Sequence, residues 1–108
     1  MIIIETTDTN IKTCKRVDVE SLQGSSIFGT LRNLREIVGG SIEVIHCDIP
    51  NRNEKGHMII NAYSKLNGSK FNRIATHFMD WKYRRNGDFV MGTAVIMTKQ
   101  EYDWFNRN

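Results

Sequence analysis

Leu31, Leu34 and Val38 recur at helical spacing, with Arg32, Arg35 and Glu36 on the opposite face, so this stretch predicts an amphipathic helix. Gly39 offers the positive φ of a helix C-terminus, and Gly40 lets the chain reverse tightly into a strand at Ile42–Cys47. Upstream, Ser21 to Thr30 contains Gly24, Gly29 and two cap candidates, Ser26 and Thr30. With Ser26 as the cap, Ile27 joins the buried stripe and Gly29 sits inside the helix at a cost of about 1 kcal/mol. That longer helix is the preferred reading.

The same reasoning covers the rest of the chain. Met1 to Glu5 reads as a short β-branched strand, and Thr6 to Asn10 as a polar turn. Ile11 to Val19 alternates well enough to pair back on the first strand, although no Asn-Gly or Asp-Gly marks a two-residue hairpin. Asp48 to Gly56, with Pro50 and many charges, reads as a solvated loop, and His57 to Tyr63 as a third strand. Asn67-Gly68 and Asn86-Gly87 are turn dipeptides. Between them Phe71, Ile74, Ala75, Phe78 and Trp81 predict a short helix with an apolar face. Asp88 to Met97 reads as a central strand, interrupted by Gly92 as a bulge or a point of close approach. Thr98-Lys-Gln-Glu101 is a capping box, followed by a C-terminal helix carrying Tyr102, Trp104 and Phe105. The expected fold is a single α+β domain spanning residues 1–108. Its mainly antiparallel sheet has about five strands, with two or three helices packed on one face.

Composition changes this picture little. Forty per cent hydrophobic and 25% charged residues are ordinary for a globular chain. The opening Met-Ile-Ile-Ile is too short for a membrane span or a signal-peptide core, which leads to an expected cytoplasmic location. Cys14 and Cys47 lie in strand-like runs, so in a reducing compartment they are read as small apolar side chains rather than as a bridge. The net charge of +3 is modest for a duplex-DNA binder, although the excess gathers at Lys70, Arg73, Lys82, Arg84 and Arg85.

Candidate chemistry is sparse. Cys14, His46, Cys47, His57 and His77 show no ligand spacing, and adjacent strand residues such as His46 and Cys47 point to opposite faces. No nucleophile elbow, activated cysteine signature or glycine-rich phosphate loop is present. Asp80 and Asp88 read as a surface residue and a turn residue. The chain is therefore read as non-enzymatic, with no cofactor. The informative segment is 70–85, where basic residues interleave with Phe71, Phe78, Trp81 and Tyr83, a combination that holds phosphates and stacks on bases. Phe71, Ile74 and Phe78 belong to the expected core face, which leaves Trp81 and Tyr83 free. Asn61, Asn72, Thr76 and Thr93 are uncharged polar residues in apolar elements, so each either ties down a loop or faces a ligand. The candidate binding set is Asn61, Asn72, Arg73, Thr76, Trp81, Lys82, Arg84 and Arg85.

One ordered series of pieces carries a family resemblance. It runs through Leu34-Arg-Glu-Ile-Val-Gly-Gly40, Ile42-Glu-Val, Ile60-Asn61 with Lys65-Leu66, Phe71-Asn72-Arg73-Ile-Ala75-Thr76, and Val90-Met-Gly92-Thr-Ala-Val-Ile96. This order resembles the small phage- and mobile-element-borne family catalogued as domain of unknown function 3846. Where such chains carry a Glu-rich turn after the matching asparagine, this one has Ala62-Tyr63-Ser64, and it is more basic after Arg73. The resemblance brings no activity. It implies an accessory protein in a bacterial host cytoplasm that interferes with host machinery or defence by binding a host protein or sequestering a nucleotide signal. The alternative expectation is a single-stranded nucleic-acid-binding module built on segment 70–85. Neither reading involves a membrane, and a homo-oligomer is compatible with both.

Overall fold

The computed structural model describes residues 1–24 and 29–108. Its centre is a five-stranded antiparallel sheet in the order β2-β1-β5-β4-β3. The strands are β1 (Ile2–Ile4), β2 (Lys15–Arg16), β3 (Ile42–Asp48), β4 (Lys55–Asn61) and β5 (Ala94–Met97). The helices are α1 (Gly29–Val38), α2 (Arg73–Phe78), α3 (Trp81–Arg85) and α4 (Lys99–Arg107). The expected α+β architecture with five strands is what the chain adopts.

Side-chain alternation gives the sheet two apolar faces. Ile3, Ile59, Val95 and Met97 meet Leu34 and Val38 of α1 and Phe105 of α4 on one side. Ile4, Ile45, Met58, Ile60, Ala94 and Ile96 meet Ile74 and Ala75 of α2, with Met79 and Val90, on the other. The second face is thus covered as well, by a short helix and loop segments. An all-buried β5 requires this, because strands apolar on both sides need two layers above them.

Local signals explain the well-read elements. α1 buries Thr30, Leu34 and Val38, so its stripe lies one position from Leu31, which is 40% exposed. Gly39 ends it at φ +86°, and the N–H groups of Gly39 and Gly40 both donate to the Arg35 carbonyl at 2.8 and 2.9 Å. Thr30 lies within the helix rather than capping it, and the Ser26 cap falls outside the described residues. The capping box at Thr98 and Glu101 forms in full. β3 and β4 pair from Ile42↔Asn61 to Asp48↔Lys55, so the ends of the expected 48–56 loop belong to strands. Between them Ile49-Pro50-Asn51-Arg52 closes a tight turn, with the Arg52 N–H donating to the Ile49 carbonyl and Asn51 at φ +64°. β4 stops at Asn61 because that side chain accepts the Tyr63 N–H at 2.8 Å and bends the chain.

Three expectations are corrected. Ile11–Val19 is not one strand: Asn10 caps a 3-10 turn at Ile11–Thr13, Asp18 caps another at Val19–Leu22, and only Lys15–Arg16 pairs with β1. The helix expected over 71–81 is two helices. Asn72 caps α2, which leaves Phe71 outside, and Met79–Asp80 runs extended along the outer edge of β3, where the Asp80 N–H donates to the His46 carbonyl at 3.1 Å. The strand expected over 88–97 is regular only from Ala94. Before it, the carbonyl of Val90 and the N–H of Gly92 bond to Asn72 and Lys70 instead of to a neighbouring strand.

His57 lies opposite His46 and under the ring of Tyr102, and its pKa is held below the ordinary 6.5 by burial and then by His46, with Asp103 pulling the other way. The folded chain therefore favours neutral His57, the unfolded chain binds more protons below pH 6.5, and stability falls as pH drops from there through the folded pKa. The melting temperature should decline between about pH 7 and about pH 5, and His57→Gln should flatten that part of the curve. An unchanged slope in the variant would assign the decline to the carboxylates.

Candidate functional site

Sequence reasoning named eight candidate binding residues; the fold places them in different surroundings. Asn72 is 1% exposed and fully engaged. Its Nδ2 donates to the carbonyls of Ile4 (2.9 Å) and Gly92 (2.8 Å), and its Oδ1 accepts the Ala75 N–H (3.0 Å). Thr76 is engaged likewise: Oγ1 donates to the Asn72 carbonyl at 2.8 Å and accepts the Val90 N–H at 2.9 Å. Asn61 is 5% exposed and lies at the far end of β4, where Nδ2 donates to the Val38 carbonyl at 3.3 Å and packs against Gly40. These amides tie loops down, Asn72 beside β1 and β5 and Asn61 beside the end of α1.

What the fold does assemble is a groove of about 550 Å³ between the turn at Thr9–Ile11 and the α2–α3 pair. Arg73, Thr76 and Arg84 from the candidate set line it, together with His77. Ile11, Phe71, Ile74 and Phe78 supply its apolar wall. Arg73 and His77 are four apart on α2 and therefore share a helix face. The Arg73 guanidinium also donates to the Thr9 carbonyl at 3.3 Å, which holds the two sides of the groove together. Phe71 is 52% exposed, because its place before the Asn72 cap puts it outside the helix and out of the core.

Trp81, Lys82 and Arg85 lie outside the groove, on the adjoining α3. Trp81 is 52% exposed and carries the Arg85 guanidinium over its ring, 5.1 Å from the centroid. Asp80, expected on the surface, is buried. It caps α3 by accepting the Lys82 N–H at 3.1 Å, and that bond lowers its carboxyl pKa, with Lys55 at 3.6 Å assisting. Asp88 is paired with Lys65. Among the described residues Lys70, Arg73, Lys82, Arg84 and Arg85 have no ion-pair partner, so the groove and its rim present uncompensated positive charge.

The remaining chemistry-bearing residues are placed quietly. Cys14 and Cys47 are buried free thiols, pushed up to about 11 and about 12, first by desolvation and then by Asp8 and Asp48 respectively. Both stay protonated at neutral pH and serve as small core side chains. Thr93 Oγ1 reaches Glu5 at 3.3 Å on the surface. No helix among the described residues is long and apolar enough to cross a membrane.

The groove residues outside the candidate set are His77, Phe71, Ile74, Phe78 and the Thr9–Ile11 turn. His77 had a readable signal, its spacing from Arg73. The turn had none, because it is brought in from 64 residues away.

Asn72→Ala removes a helix cap and takes a donor from the buried Ile4 carbonyl and the partly buried Gly92 carbonyl. The variant should lose roughly 2–4 kcal/mol in urea denaturation. Asn72→Asp keeps the cap acceptor but turns a carboxylate on those carbonyls, so it should recover little. Near-native stability of Asn72→Ala would contradict this structural role.

No curated protein matches the chain, and no solved structure does. The family model for the domain of unknown function DUF3846 matches residues 3–105, nearly the full length. The chain belongs to the DUF3846 family.

Proposed function

We propose that this protein is a non-enzymatic binding module for a small nucleotide, held in the groove between the Thr9–Ile11 turn and α2–α3. The observation that supports the reading is the pairing of two guanidinium groups, Arg73 and Arg84, with an apolar wall that includes the half-exposed ring of Phe71. Guanidinium forks suit phosphate oxygens, and exposed aromatic faces suit bases. The volume of about 550 Å³ falls in the range of small-molecule sites, roughly 300–1,000 Å³. Binding is favoured over catalysis because His77 is the single imidazole among the described residues that line the groove, and no carboxylate or cysteine lines it alongside. In the phage or mobile-element setting that the sequence resemblance implies, such a module would sequester a nucleotide signal in a bacterial host.

One observation favours a second reading. The exposed Trp81 ring with Arg85 stacked on it, beside Lys82 and Arg84, suits successive bases of a single strand. In that case the groove and the α3 surface would form one track for nucleic acid.

A thermal-shift panel separates these. It holds mononucleotides, cyclic dinucleotides, ADP-ribose derivatives and short single-stranded DNA and RNA at two salt concentrations. A small nucleotide at about 100 times its Kd should stabilise the protein by about 2.7 kcal/mol. The double variant Arg73→Ala/Arg84→Ala, altered at side chains outside the core, should lose that shift, and Trp81→Ala should keep it. A shift seen only with oligonucleotides, falling steeply with salt and lost in Trp81→Ala, would replace the first reading with the second. No shift with any member overturns both and leaves a host protein as the partner.

A further inference from the structure

On the opposite face of the sheet from the groove, His46 and His57 stand directly across from each other in the β3–β4 register. The His46 carbonyl points out of the sheet edge to accept the Asp80 N–H. The two histidines are therefore a non-hydrogen-bonded pair, the kind in which cross-strand Cα atoms approach to about 4.5 Å and side chains lie closest. Their ring centroids are 5.6 Å apart, with planes tilted by 43°. Two imidazoles on one tetrahedral ion, with metal–nitrogen bonds of about 2 Å, hold their centroids roughly 5 Å apart. The observed spacing needs closure by a fraction of an ångström.

Two further features suit these rings to a ligand role. Tyr102 of α4 stacks on His57 at 4.0 Å between centroids and 23° between planes, which holds that imidazole in place. Among the described residues neither ring makes a hydrogen bond through its nitrogens, and no buried side-chain nitrogen is left unpartnered. The ring nitrogens of both histidines therefore reach solvent with lone-pair capacity unspent.

We propose that His46 and His57 chelate a borderline divalent transition-metal ion, Zn²⁺ foremost, on the α4 face of the β3–β4 hairpin. Imidazole pairs select Zn²⁺, Ni²⁺ and Cu²⁺ over the oxygen-seeking Mg²⁺ and Ca²⁺. No group of three or more His, Cys, Asp or Glu side chains converges among the described residues, so this chain supplies two donors and solvent supplies the others. The remaining histidine provides an internal control. His77 lies in the groove with its ring against the edge of Phe78.

The test uses the full chain without any affinity tag. Zn²⁺ and Ni²⁺ should raise its melting temperature, Mg²⁺ should not, and His46→Asn, an exposed substitution, should abolish the rise. In parallel, side-chain nitrogen NMR of the wild-type protein with a small amount of Cu²⁺ should broaden the His46 and His57 imidazoles and leave His77 sharp. This readout needs no variant and is independent of nucleotide binding. Equal broadening of all three histidines, no change in melting temperature with Zn²⁺, or a rise retained in His46→Asn would each overturn the site.

Discussion

The fold turns on one buried amide. Asn72 holds the end of β1 through the Ile4 carbonyl, the approach to β5 through the Gly92 carbonyl, and the start of α2 through the Ala75 N–H. Its own N–H donates to Val90. No apolar residue of similar size could replace it, because the buried Ile4 carbonyl and the partly buried Gly92 carbonyl would each lose this donor, at a cost of about 1–3 kcal/mol for a buried group left unpaired. The seat of α2 on that side of the sheet follows from this contact. The direction of α2 sets where Arg73 and His77 project, and Thr76, one turn on, pins the strand-like segment at Val90.

Charge is distributed by a similar division of labour. Several acids are committed to structure: Asp80 caps α3, Glu101 completes the capping box of α4, and Asp48 and Asp88 hold Lys55 and Lys65. The bases of α2 and α3 are not spent in this way. A modest net charge of +3 is therefore expressed as a concentrated positive surface around one groove. A rigid, doubly covered sheet supports that surface, while loops and short helices shape it.

How much could be read from the chain follows from where each segment finds its partners. α1, β3, β4 and α4 were legible because their signals are local: a stripe at helical spacing, a glycine stop, a capping box and alternating apolar residues. Segments 11–19 and 88–93 misled because alternating apolar residues do not reveal caps at Asn10 and Asp18, or backbone bonds lent by Lys70 and Asn72. Phe71 was assigned to the core for one reason, a helix register that began one cap too early. At the site, Arg73 and Arg84 were legible as members of a basic cluster, whereas the opposite wall at Thr9–Ile11 depends on contacts no local pattern encodes. Asn72 was recognisable as a residue that either ties down a loop or faces a ligand, and it was counted among the binding candidates; the fold spends it on loops.

The strand order also sets a timetable. β3 and β4 close on each other through a short turn as soon as both have left the ribosome, but β1 is flanked by β2 on one side and by β5 on the other. The second edge of β1 has no hydrogen-bonding partner until residues 94–97 emerge. Until then the nascent chain carries an Ile-rich strand with an open side, alongside a finished hairpin that lacks its central neighbour. Folding of the whole sheet waits on one four-residue strand, and long-range pairings of this sort are slow to form and exposed to aggregation while they wait.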